Sequence, residues 1–183
     1  MTTDERLITG CTKGNRKMQR ELYERYAPQM MVVALRYSKM QQEAEDILQE
    51  AFIKVFDKIG DFRRQSSLYY WIKRIVINTA LNHQRSKLYL YPMVDVEKID
   101  HEDRSEFSLA GFQAKELLEM VHGLPTGSQV IFNLYAIEGY KHKEIAELLN
   151  ISEGTSKSQY ARARELLRDK ILATEKASYG RAE

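Results

Sequence analysis

The chain has 183 residues, 43% hydrophobic and 30% charged, the balance of a soluble globular protein with core enough for one mid-sized domain or two small ones. Its formal net charge is only +2, so any basic surface is a local patch offset by acid elsewhere. Cys11 is the only cysteine, which excludes an internal disulfide and points to a reducing cytoplasm. No apolar run approaches the roughly 18 residues of a membrane span, and the polar start MTTDERLITG is no signal peptide, so a cytoplasmic protein is expected.

The apolar period is helical nearly throughout and no alternating strand stands out, which predicts an all-α fold. Asp4 is placed to cap a short first helix that stops near Gly10 to Gly14. A second helix begins around Asn15 and carries Met18, Leu22, Tyr23 and Tyr26, with Pro28 marking a kink or a restart before MMVVALRY. A third runs from about Gln42 to Ile59, with Leu48, Ala51, Phe52, Val55, Phe56 and Ile59 on one apolar face. Its opposite face collects Glu43, Asp46, Gln49, Glu50 and Asp57 around Ile53. Two readings fit this face equally: a solvated acidic surface with one stray isoleucine, or an apolar anchor ringed by carboxylates that docks on a basic partner.

Gly60 is expected to end the third helix. The loop DFRRQSS follows, with Arg63, Arg64, Gln65, Ser66 and Ser67. It can serve as a turn whose Ser66 or Ser67 caps the next helix, as a cradle for an extruded base and its phosphates, or as both.

The next stretch, LYYWIKRIVINTALNHQR from Leu68 to Arg85, says most about function. Wound as a helix, Leu68, Ile72, Ile75, Val76 and Ala80 cover one broad apolar arc, and Tyr70, Ile77 and Leu81 another. Between them lies a narrow stripe of Trp71, Arg74, Asn78, Asn82 and Arg85, with an aromatic, two amides, two guanidinium groups and no acid. Arg and Asn fork onto base edges and phosphates while Trp stacks on a base, so the stripe fits nucleic acid; the plainer reading is an ordinary solvated face.

From about Leu88 to Phe112, between helical stretches, Asp95, Glu97, Asp100, Glu102, Asp103 and Glu106 face only Lys98 and Arg104, the composition of an acidic linker between two small helical domains. Beyond it, helices are expected at Gln113 to His122 and Gln129 to Glu138, with Thr126 or Ser128 capping the second. YKHKEIAELLN, NISEG and GTSKSQYARARELLRDKIL then read as a helix-turn-helix, with Ile151 plugging the angle and Ser152 as N-cap. Tyr160, Ala163, Leu166, Leu167 and Ile171 are expected inward, and Lys157, Ser158, Ala161, Arg162, Glu165 and Arg168 outward, with Arg164 at the border. Small and basic residues on the first two turns suit entry into a major groove. The tail from about Ala173 is expected to fray.

Enzyme chemistry finds no support in the sequence. His83, His101, His122 and His142 lie far apart, without metal-ligand spacing, and there is no phosphate-binding glycine loop or nucleophile motif. Cys11 reads as a small buried residue. No cofactor, metal or small-molecule substrate is expected, and the chain is not expected to be an enzyme.

AEDILQEAFIKVF, then DF, then SSLYYWIKRIVINTALNHQR resembles the second conserved region of bacterial RNA polymerase sigma factors of the sigma-70 family, and about Ala114 to Leu172 resembles the fourth. The two-domain layout resembles the extracytoplasmic-function class. The resemblance implies a region 2 domain at 1–87, the linker at 88–112 and a region 4 domain at 113–183. It implies that Asp46, Gln49, Glu50 and Ile53 dock on the polymerase clamp. Arg63, Arg64, Ser66, Trp71, Arg74, Asn78, Asn82 and Arg85 would bind the unpaired minus-ten strand, and Thr155, Lys157, Ser158, Ala161 and Arg162 the minus-thirty-five duplex. The linker would pass near the active-site and RNA-exit channels, and an anti-sigma factor is the implied regulator of a chain that is otherwise monomeric. One position departs from the pattern: after the Gly-Thr pair the family commonly has an apolar residue, and here it is Ser156. The alternatives are a stand-alone helix-turn-helix regulator with an N-terminal sensing or dimerisation domain, and a helical adaptor that binds only protein.

Overall fold

The computed structural model describes the backbone of residues 2–90 and 114–179 and the side chains of residues 2–84 and 115–174. Among the described residues every regular element is helical, and the chain divides into two units, Met1–Arg85 and Ser86–Glu183.

The first unit begins with α1 (Thr3–Thr12), whose N-cap is Thr2 rather than Asp4. Thr2 Oγ1 accepts from the Glu5 N–H and the Glu5 carboxylate accepts from the Thr2 N–H, a reciprocal pair that satisfies donors a lone Asp4 would leave open. Asp4 is instead fastened to α2 (Arg16–Tyr37), accepting from the Tyr26 hydroxyl at 3.0 Å. Gly14, at φ +70, makes the corner that only glycine takes without strain, and the Asn15 side chain accepts from the Lys17 and Met18 N–H groups to start α2. α2 neither restarts nor breaks at Pro28. Proline there removes a hydrogen bond at a cost of about 3 kcal/mol, but its ring is exposed while Met30, Val33 and Ala34 beyond it are buried and hold the helix in place.

α3 (Gln41–Lys58) buries Ala44, Ile47, Leu48, Ala51, Phe52 and Val55, and a 3-10 turn at Ile59–Asp61 closes it. Gly60 does not adopt the left-handed conformation expected of a helix-ending glycine; the positive φ falls on Arg64, at 57°. α4 (Leu68–Leu90) is capped by Ser67, whose Oγ accepts from the Tyr70 N–H at 3.4 Å. Leu68, Ile72, Val76, Ile77, Ala80 and Leu81 are buried as expected, but Tyr70, placed by its period on an apolar arc, is 63% exposed. Leu88 to Leu90, expected in the linker, continue α4. The remainder of the acidic linker lies outside the described residues.

The second unit comprises α5 (Ala114–His122), α6 (Thr126–Phe132) with a π-helical turn at Asn133–Ile137, α7 (His142–Leu149) and α8 (Glu153–Tyr179). Val121, Leu124, Ala163 and Leu167 form one buried cluster, with Met120, Phe132 and Leu166 packed against them, and Val130, Ile131, Leu134 and Ile145 are buried as well. Neither Thr126 nor Ser128 caps α6: Pro125 holds the N-cap position, and Ser128 is buried, its hydroxyl donating to Gln159 Oε1 at 2.7 Å. α8 runs on to Tyr179, so the backbone of the tail stays helical past Ala173. Among the described residues no helix is long and apolar enough to cross a membrane.

Candidate functional site

On α3, Asp46, Gln49 and Ile53 are exposed at helical spacing, and Ile53 leaves 56% of its surface in water. Nothing in the packing of the first unit requires an isoleucine there. Glu50 differs from its neighbours: it receives Lys54 Nζ at 2.6 Å on one oxygen and stands 2.5 Å from His83 Nε2 of α4 on the other. The hydrogen bond from Lys54 first, and that from His83 next, hold its carboxyl below the usual carboxylate range. Lys54 also donates to the buried Thr79 at 3.3 Å, so α3 and α4 are joined by a polar seam.

The α3–α4 loop leaves Arg63, Arg64, Gln65, Ser66 and Ser67 exposed. Ser66 donates to the Ser67 carbonyl at 3.4 Å, and the Arg64 guanidinium lies 3.7 Å from Glu5 of α1.

On α4, Arg74, Asn78 and Asn82 are exposed in one line, with no acid among them. Trp71 is half-buried because its ring leans on Phe62, centroids 5.2 Å apart. An indole braced on one side offers its other side to a stacking partner at little further entropic cost. Arg85 belongs to α4, but its side chain lies outside the described residues.

In the second unit Asn150 takes the left-handed conformation that ends α7, and the Ile151 N–H donates to the Ala146 carbonyl at 3.0 Å. Ser152 Oγ accepts from the Thr155 N–H at 2.9 Å and so caps α8 as expected. Lys157 is exposed and pairs with Glu153 at 2.8 Å; Ser158, Ala161 and Arg162 are half-buried along the same helix. Thr155 is buried, with its hydroxyl 2.8 Å from that of Ser152, so it takes part in the cap at the start of α8. Ser156 is fully buried in the place of an apolar residue, and His142 Nδ1 satisfies its hydroxyl at 2.9 Å. The His142 ring stacks on Tyr135 with centroids 4.1 Å apart. Burial, and then the charge of Lys157, lower the His142 pKa and favour the neutral imidazole.

Family models for sigma-70 region 2 and sigma-70 region 4 match residues 22–88 and 114–167. The RNA polymerase sigma-H factor of Pseudomonas aeruginosa is 30% identical over 181 residues, covering 92% of this chain and 93% of its own. The chain belongs to the sigma-70 family. The ECF RNA polymerase sigma-E factors of Haemophilus influenzae and Escherichia coli K12 are each 29% identical and cover 92% of this chain, with 95% and 94% of their own lengths aligned. The chain is thus an extracytoplasmic-function sigma factor, and it acts in transcription initiation. Because these relatives align along both halves, the stand-alone regulator is set aside. The fold is shared with CnrH, solved in complex with the cytosolic domain of CnrY, at a TM-score of 0.51, 20% identity, and coverage of 94% of this chain and 99% of that one. It is shared also with the sigma factor RpoE of Bartonella quintana, solved with the anti-sigma factor NepR, at a TM-score of 0.53, 20% identity, and coverage of 84% and 96%.

Within this sigma factor, three residues near the candidate surfaces escaped the sequence reading. Phe62 braces Trp71, His83 engages Glu50, and Tyr70 stands exposed next to Trp71. The signal for Tyr70 was present: it is four residues before Arg74 and eight before Asn78, so it shares their side of the helix. His83 is 33 residues from Glu50, and no local pattern connects them.

Proposed function

We propose that this sigma factor divides initiation between its two units. The face of Asp46, Gln49, Glu50 and Ile53 docks on the clamp of the polymerase core. Arg63, Arg64 and Ser66 of the loop, with Trp71, Arg74, Asn78, Asn82 and Arg85, hold the unpaired non-template strand of the minus-ten element. Lys157, Ser158, Ala161 and Arg162 read the minus-thirty-five element in duplex form, with Thr155 setting the start of their helix. Residues 1–87 form the first domain and 113–183 the second. The acidic segment at 88–112 passes through the polymerase near its active-site and RNA-exit channels.

The observation that supports this most is the α4 stripe. Arg74, Asn78 and Asn82 lie exposed and free of acid on a helix buried on its other sides, beside an indole braced by Phe62. Single strands want stacking groups and amides, whereas duplex wants a groove-sized helix, and the two units supply one each. The near-zero net charge keeps free DNA binding weak until polymerase supplies the scaffold. The two tethered readers then gain affinity through effective concentration.

The chain is read as a cytoplasmic monomer without catalytic activity, held in reserve by an anti-sigma factor. The test is purified chain with core polymerase on a promoter selected from a random library. Promoter-specific initiation above that of core alone is expected. Initiation no more specific than core alone would refute the reading.

A further inference from the structure

The minus-ten loop is steadied from outside itself. Arg64 sits in the left-handed region at φ 57, a conformation that costs a non-glycine residue energy and persists only where surroundings impose it. A carboxylate of α1, that of Glu5, lies within ion-pair reach of its guanidinium.

Three consecutive residues of α1 act together. Asp4 accepts from the Tyr26 hydroxyl at 3.0 Å and lies 3.5 Å from the Arg25 guanidinium, while Arg6 pairs with Glu21. These three contacts tie α1 to α2. Glu5, between them, points toward the loop. One of its oxygens accepts from the Thr2 N–H at 2.8 Å, which fixes the carboxylate; the other lies 3.7 Å from Arg64 Nη1. The far end of α1 meets the start of the same connection, where a Cβ on Gly60 would touch the Thr12 methyl at 3.6 Å.

We infer that Glu5 is a positioning residue for promoter reading: α1 holds the Arg64 guanidinium and thereby sets the shape in which residues 63–67 meet the unpaired base. This rests on the assignment of that loop to the minus-ten strand. Glu5 itself touches no DNA. Its ion pair is exposed, so its worth lies in choosing among loop shapes of similar energy rather than in holding the fold together.

The Glu5→Gln variant separates the two duties of the side chain, because glutamine serves a capping box as glutamate does but carries no charge for Arg64. Holoenzyme made with wild type or Glu5→Gln is compared on the selected promoter and on its single-base minus-ten variants. The ratio of initiation on matched to mismatched promoters should narrow by about twofold to fivefold, the range an exposed pair imposes, with core affinity and melting temperature unchanged. A ratio equal to wild type overturns the inference. So does a uniform loss on all promoters, which would mark a merely structural residue. Wild type that shows no promoter-specific initiation removes the reading of the loop itself, and the inference with it.

Discussion

Ile53 offers the sharpest test of the docking face. It leaves 56% of its surface exposed. If an isoleucine in an extended chain presents about 180 Å², roughly 100 Å² of hydrocarbon awaits a partner, worth about 2.5 kcal/mol at ~25 cal/mol per Å². Full loss of that burial corresponds to roughly 70-fold in Kd. Ile53→Ala keeps the first carbon of the side chain and should weaken core binding by about 10- to 30-fold. Ile53→Glu adds a charge that must be desolvated one helical turn from Glu50 and Asp57 and should weaken it by more than about 100-fold. Labelled chain titrated with core polymerase measures the affinity, and thermal melting by circular dichroism controls for the fold. An exposed residue contributes little to folding, so melting should shift by no more than the equivalent of about 0.5 kcal/mol. Affinity within twofold of wild type for the Glu variant, with melting unchanged, would show that polymerase does not cover this face.

Trp71→Ala should spare closed-complex formation but slow strand opening by about 5- to 150-fold, from a stacking contribution of roughly 1–3 kcal/mol; full permanganate reactivity in the variant rules out the stacking role. Lys157→Ala should weaken binding to minus-thirty-five duplex and reduce the slope of log affinity against log salt by about 1, and an unchanged slope would mean that this ammonium meets no phosphate. The hydrogen bonds from Lys54 and His83 hold the folded-state pKa of Glu50 below the usual carboxylate range, so its stabilisation is whole above the unfolded-state value and is lost as pH falls through the folded-state one. Acid unfolding followed by circular dichroism should therefore show a shallower loss of stability for Glu50→Gln than for wild type, and identical acid limbs would contradict the seam with Lys54 and His83.

Much of the fold was legible because helices declare themselves at short range. The apolar faces of α3 and α4, the Ser152 cap and the Asn150 turn all follow from spacings of three and four and from local backbone chemistry. The stripe was legible for the same reason, since a helix that is apolar on most sides isolates whatever it leaves polar. Misreadings came where two local signals competed or where a distant residue decided. Thr2 with Glu5 outcompeted Asp4 because the reciprocal cap satisfies two donors. The left-handed position expected of Gly60 falls instead on Arg64, whose guanidinium lies 3.7 Å from Glu5, a residue 59 positions away that no local pattern connects to it. Ser156, where the family commonly has an apolar residue, is accommodated by His142, 14 residues earlier, which meets its hydroxyl. Thr155 joins Ser152 in the cap, a pairing of two hydroxyls three residues apart that the sequence pattern does not announce.

The seam between α3 and α4 changes how the two candidate surfaces relate. On α3, Ile53 immediately precedes Lys54; on α4, Asn82 immediately precedes His83. Lys54 and His83 both converge on Glu50, and Lys54 reaches Thr79, itself the neighbour of Asn78. Gln49, Ile53, Asn78 and Asn82 thus each have a chain neighbour in one shared polar cluster. Exposed pairs of this kind add little to stability, about 0–1 kcal/mol each. Their geometry is directional, however, and an apolar interface alone would let the helices slide by a fraction of a turn at small cost. A sigma factor gains from a fixed register, because polymerase seated on α3 then dictates where the stripe on α4 meets the strand. Glu50 thus serves twice in the proposed scheme, as the keystone of that register and as a member of the face that Asp46, Gln49 and Ile53 present to the clamp.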